Sequence, residues 1–364
     1  MRFSLVLFLV PTLLSAQGIP RFTLPAATAR LTEEFDALSW ARELRDGRVI
    51  LSDPRANRVV VADLKAGTVQ QIGHSGEGPG EYARAQPAWS IGGDSSIMVN
   101  AVQRWLLLDG DKIVTTITSS APAVAALKPT VRGADTLGSV YTAGTVAGQN
   151  GPMGDSTALM RVARGTGRLD TLGRLRAVVA RQTAAADKKG FFEFRMPTIQ
   201  VAEEAVPFRD GWLAVTRLDP YRVDWRSPDG RWIKGAALPF VAVRMDDREK
   251  HAYVERVAKR TGRPAQPIDS IADWPETVPP WQSPNVLLAA PDGRVLIPRL
   301  ASAANAEMRY DIVNRAGRID GQLTMDANER IIGFGPRSVY VAVTDDDGIQ
   351  RLQCHTWPPI AARH

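Results

Sequence analysis

Through the first 240 residues no long helical periodicity appears. Short β-branched or apolar runs instead alternate with tight polar turns, the pattern of an all-β chain. Arg48-Val49-Ile50-Leu51 follows Asp46-Gly47, and Ser96-Ile97-Met98-Val99 follows Gly93-Asp94. Trp212-Leu213-Ala214-Val215 follows Asp210-Gly211, and Arg294-Val295-Leu296-Ile297 follows Asp292-Gly293. Ala134-Asp135 marks another such turn, and Val339-Tyr340-Val341-Ala342 follows Pro336-Arg337. Beyond a connector, an arginine opens a third strand in each unit: Arg58, Arg104, Arg161, Arg222, Arg309 and Arg351. A second turn closes five units, at Ala66-Gly67, Gly110-Asp111, Thr166-Gly167, Asp229-Gly230 and Ala316-Gly317, and leads into a fourth strand such as Thr68–Ile72.

Four-stranded antiparallel units of roughly forty residues, repeated about six times, predict a six-bladed β-propeller. The last unit runs out near Trp357 without a second turn or a fourth strand. The ring is therefore expected to close with an outer strand from the N-terminus, within Arg21 to Phe35, which leaves no open seam. The domain is placed at residues 20–358. Links between strands two and three, and between blades, share one face. The insertions at 143–157, 176–202 and 241–282 all fall there, which marks it as the binding face. The last insertion holds the one predicted helix, capped by Asp246 or Asp247, ended by Gly262 and followed by Pro264, Pro267, Pro275, Pro279 and Pro280. Its partial stripe of Tyr253, Val254, Val257 and Ala258 suits either a lid over the channel or a cover on blade edges.

The first blade leaves through Ile72-Gly73-His74-Ser75-Gly76-Glu77-Gly78-Pro79-Gly80-Glu81-Tyr82. With Asp53 and Asn57-Arg58 before it, this loop resembles the NHL-type repeat, with its Asp, Asn-Arg and G-x-G-P-G-x-aromatic landmarks in order. Nearly all of the chain, with the helix and Pro275-Glu276-Thr277-Val278-Pro279, resembles exported bacterial six-bladed propellers of the NHL/TolB-like class. Blades two and three lack the Asn-Arg pair. The resemblance implies the fold and adds little about activity.

Composition narrows the rest. Hydrophobic residues at 44% and charged residues at 23% of 364 are those of an ordinary globular protein. Met1-Arg2, an apolar run from Phe3 to Leu14 and Ser15-Ala16 read as a signal peptide over residues 1–16, so an exported, periplasmic or secreted protein with no membrane span is expected. The net charge of +6 is diffuse, with no run of like charges, which gives no case for nucleic acid. Cys354 is the single cysteine, so no intramolecular disulfide forms and stability rests on the core.

The chemistry is sparse. His74, His251, His355 and His364 show no metal-ligand spacing. Gly73-His74-Ser75-Gly76-Glu77 misses the nucleophile elbow by one residue, and the glycine loop lacks the Lys-Ser/Thr of a phosphate-binding loop. Glycine's freedom in φ explains the loop as a turn from an outer strand to the next inner one. The repeated arginines either ring one face to attract anions or pair with acids of their own and neighbouring blades. The near balance of 45 basic and 39 acidic residues favours pairing. Asp345-Asp346-Asp347-Gly348 suits a solvated turn better than a calcium loop. Phe191, Phe192 and Phe194 suggest a contact surface or a channel plug. The expected function is a monomeric binding module for a protein or small-molecule ligand, with Glu77, Glu81, Tyr82, Arg58, Arg104, Arg222 and Arg309 as candidate contacts. The alternative is a hydrolase or lyase of the lactonase or propeller-lyase kind, with a divalent cation in the central channel.

Overall fold

Antiparallel sheets stacked side by side make up most of the chain. The structure, a computed structural model, describes residues 19–101, 104–118, 130–144, 155–178, 181–182, 194–261, 263–281 and 287–357. The expected signal peptide, most of the 143–157 link, Phe191, Phe192, Gly262 and His364 lie outside them.

Three sheets have four strands each in simple up-and-down order. They comprise Ala88–Gly92 to Lys112–Thr118, Thr130–Ala134 to Leu169–Arg176, and Ala205–Pro207 to Trp232–Ile233. A further sheet runs from Leu288–Ala289 to Ile319–Met325 and carries Arg21–Phe22 as a parallel addition. The largest joins Glu329–Phe334, Ser338–Thr344 and Gln350–Thr356 to Trp40–Glu43, Val49–Asp53, Arg58–Asp63 and Thr68–Gln71, through parallel pairing of Glu329–Phe334 with Trp40–Glu43. Ala29–Arg30 pairs antiparallel with Gln350–Thr356, inside the segment expected to supply an outer strand. This is the organisation of a β-propeller.

The turns fall where the sequence places them, and Gly47, Gly93, Gly211 and Gly293 have φ of +87°, +54°, +83° and +85°. Apolar residues of facing strands fill the space between sheets. Val49, Leu51, Val60 and Ala342 form one such cluster, and Val223, Trp225, Val295 and Val313 another. One expectation about register is corrected. Arg161 does not open its strand, which begins at Ser156 and pairs back along Ser139–Gly144, so the arginine lies well inside it.

The helix spans Asp247–Thr261, and the Asp246 carboxylate caps it by accepting the Glu249 N–H at 3.0 Å. Tyr253 and Val254 pack against Ile199, Met245, Ile271 and Val278, so the two large insertions share one small core. Tyr253 donates its hydroxyl to the Thr198 carbonyl at 2.9 Å, and the Glu249 carboxylate accepts the Ala303 N–H. The apolar stripe is thus spent on covering neighbouring chain.

Candidate functional site

The first strands of the units together wall a cavity of about 740 Å³. Trp40, Trp89, Val131, Val206, Leu288 and Ile332 represent the contributing strands. Ligand pockets commonly measure about 300–1,000 Å³, so the volume suits a small molecule.

Charge gathers in two places along this wall. Away from the turns, Arg132 in the middle of Thr130–Ala134 pairs with Glu204, just before Ala205–Pro207, at 2.7 Å, both largely buried. Where the strands enter their turns lie Arg42, Glu43, Arg45, Asp94 and Arg209. Arg42 is 6% exposed and donates to the carbonyls of Gly93 at 2.7 Å and Asp94 at 3.1 Å. Burial first, and then the positive Arg209, lower its pKa to about 10 against the opposing pull of Asp94. Asp94 accepts the Arg45 backbone N–H at 2.8 Å, and Glu43 accepts the Tyr340 hydroxyl at 2.7 Å.

The residues singled out from sequence lie elsewhere, and most of them hold chain to chain. Arg58 pairs with Glu33 at 3.1 Å, approaches buried Asp53 at 3.7 Å and stacks over Phe35. Arg222 grips Asp224, and Arg104 donates to the Glu77 and Gly78 carbonyls at 3.0 and 3.4 Å, pinning the glycine loop. Arg309 sits across from Arg299 in the ladder, and burial followed by the charges of Arg299 and Arg21 lowers its pKa. Arg161 and Arg351 pair with Asp170 and Asp345. Tyr82 is fully buried, and its phenol oxygen accepts the Val59 N–H at 2.9 Å. Asn57, at φ +50°, ties its strand to the same loop through Ser75, Ala83 and Ala85.

Within the loop, Glu81 accepts the Gly78 N–H at 2.7 Å and meets His74 Nε2 at 2.8 Å. That N–H first, and His74 second, hold its carboxyl below the usual range. The loop's glycines are only partly explained by φ. Gly73 and Gly80 have φ of +60° and +76°, whereas a Cβ on Gly76 or Gly78 would strike the Glu81 carboxylate. Glu77 is exposed, and its carboxylate has no partner among the described residues.

The histidines do not converge. His74 and His251 are exposed, and His355 is buried against the Pro25 carbonyl. Among the described residues no three His, Cys, Asp or Glu side chains group as metal donors. Asp345 accepts the Asp347 and Ile349 N–H groups, which makes its aspartate run a turn. No helix among the described residues is long and apolar enough to cross a membrane.

The channel residues were missed from sequence because the first strands are short and irregular, as in Trp40-Ala41-Arg42-Glu43. One signal was available: Arg45-Asp46-Gly47 and Arg209-Asp210-Gly211 put arginine at the same turn position in two units.

No protein-family model and no curated protein matches the chain. Solved structures do resemble it. A candidate exported protein from Bacteroides fragilis is 8% identical, with 93% of this chain and 99% of that one covered at a TM-score of 0.51. Regucalcin, a calcium-binding protein from Agrobacterium tumefaciens, is 11% identical over 94% of this chain and 99% of its own, with a TM-score of 0.44. BamB from Moraxella catarrhalis is 11% identical over 88% and 86%, with a TM-score of 0.35. Identities this low speak to fold alone, and the fold is that of a β-propeller.

Proposed function

We propose that this chain is an exported, monomeric binding module, a six-bladed propeller of the NHL/TolB-like kind occupying residues 20–358. Its ring closes where Ala29–Arg30 runs beside Gln350–Thr356 as the outer strand of the last blade. The observation that carries the reading is a cavity of about 740 Å³ walled by strands of five sheets, among them Trp40–Glu43, Ala88–Gly92 and Ala205–Pro207. Its walls are partly apolar and its charges gather in two places, which suits capture of a small molecule or a projecting peptide. The described parts of the insertions at 176–202 and 241–282 pack on each other, and exposed Glu77 is the surface candidate whose side chain has no partner among the described residues.

The competing reading, a hydrolase or lyase using a divalent cation, needs carboxylate, amide or histidine groups converging at the channel. Among the described residues no three His, Cys, Asp or Glu side chains form such a set. Elemental analysis of tag-free protein purified without chelators is the test. The expected result is no stoichiometric metal. Calcium, zinc or magnesium at one equivalent would overturn the binding reading in favour of the enzyme.

A further inference from the structure

We infer that the turn end of the channel is an oxyanion site, at which Arg42, Arg45 and Arg209 receive a carboxylate or phosphate group of the ligand. The inference rests on the channel being the ligand site and adds the chemistry of what enters it.

Arg42 carries the case. Its guanidinium is buried and held only by the carbonyls of Gly93 and Asp94, with no carboxylate at hydrogen-bonding distance. A buried cation without a paired anion is costly, so a site of this kind favours an arriving anion. Arg45 lies over the same turn, where a Cβ placed on Gly93 would come 3.2 Å from its Nη2. Arg209 is close enough to Arg42 to depress its basicity, and it lines the same cavity.

Neighbouring acids offset this group only in part. Asp46, next to Arg45, is bound to Arg48 at 2.7 Å. Asp210, next to Arg209, is bound to Arg315 at 2.6 Å. Asp94 and Glu43 remain nearby, where they accept the Arg45 backbone N–H and the Tyr340 hydroxyl. Neither the Arg45 nor the Arg209 side chain has a hydrogen-bond or ion-pair partner among the described residues. Three guanidinium groups therefore outnumber the two carboxylates beside them, whose hydrogen bonds come from neutral donors. Planar guanidinium forks match carboxylate and phosphate oxygens two at a time, which gives the site its selectivity over simple halides.

The test is calorimetric titration of the full chain with sodium phosphate and with sodium citrate, each against sodium chloride at matched ionic strength. Saturable binding of one or both oxyanions is expected, and the tighter of the two distinguishes a phosphate site from a carboxylate site. Arg45→Ala and Arg209→Ala alter exposed side chains, so the fold survives them. Each is expected to weaken binding by roughly tenfold or more. Lys65→Ala removes an exposed charge outside the site and should leave binding unchanged. Titrations indistinguishable from chloride, arginine variants that bind like the wild type, or equal weakening in Lys65→Ala would overturn the inference. A negative result in a metal-free protein would leave the binding-module reading standing.

Discussion

Asp311 offers the sharpest test of how the sheets are held together. It is fully buried and sits between two sheets. One oxygen accepts the Gln322 amide at 2.7 Å; the other accepts the Tyr221 hydroxyl at 2.9 Å and pairs with Arg299 Nε at 3.0 Å. Arg299 in turn stacks over Tyr221 and Phe240, with centroid distances of 5.3 and 5.0 Å. Asp311→Asn keeps the shape but deletes the charge. Every partner of the carboxylate is a donor, so the amide NH₂ must confront at least one of them. The guanidinium is left without its anion, a loss of about 3–5 kcal/mol. At about 2 °C per kcal/mol for a chain of this size, the melting temperature should fall by roughly 6–10 °C. Urea unfolding and thermal melts at neutral pH measure it. Asp346→Asn, which breaks the exposed 3.3 Å pair with Lys259, should change stability by less than about 0.5 kcal/mol. Adding Arg299→Met to Asp311→Asn removes the stranded cation and should recover part of the loss. A loss under about 1 kcal/mol for Asp311→Asn, or a double variant weaker than the single, would refute the reasoning.

Three further outcomes are expected. Tyr82→Phe removes the acceptor of the buried Val59 N–H and should cost about 1–3 kcal/mol in urea unfolding, although the ring still fills its place. Gly333→Ala should destabilise by about 1–3 kcal/mol or more, because the new Cβ runs into the Ala41 carbonyl across the parallel pairing of the last and first units, and neither backbone can give way. Alkaline pH should unfold the protein cooperatively. Burial raises the Tyr310 pKa to about 12, and burial followed by Glu43 raises that of Tyr340 further. Folded-state pKa values above the unfolded one give stability that is complete below about pH 10 and lost as pH climbs through the folded values. Tyrosinate absorbance should therefore appear together with loss of circular dichroism rather than before it.

The fold was legible where chemistry is local. Asp-Gly turns need a left-handed glycine, and the runs after them alternate between sheet faces, so the second strands and most third strands could be placed closely, the strand opening at Ser156 rather than Arg161 excepted. The need for an N-terminal outer strand followed from counting what the last unit lacked. The channel wall was illegible for the opposite reason. Ala205–Pro207 and Leu288–Ala289 are too short for any periodicity, and their places are set by packing between neighbouring sheets rather than by their own pattern. The glycine loop shows a middle case. Its backbone demands were visible, but only the structure reveals that Gly76 and Gly78 make room for the Glu81 carboxylate.

The two sets of arginines show why charge alone misleads in a repeat protein. At the third strands, the acid that answers each arginine is often on the same hairpin or the adjoining chain: Asp224 for Arg222, Asp170 for Arg161, Glu33 for Arg58. Such pairs recur because the repeat recurs, and they leave little charge to offer a ligand. At the turns, acids also join one sheet to the next. Asp111 reaches Arg48 and Asp210 reaches Arg315. An acid committed elsewhere, as Asp46 is to Arg48 and Asp210 to Arg315, is unavailable to the arginine beside it in sequence. Arg45 and Arg209 are left over by that arithmetic, and Arg42 is buried beside one of them with carbonyls for company. The proposed positive channel end follows from how the sheets are joined, at residues whose sequence neighbours are acidic.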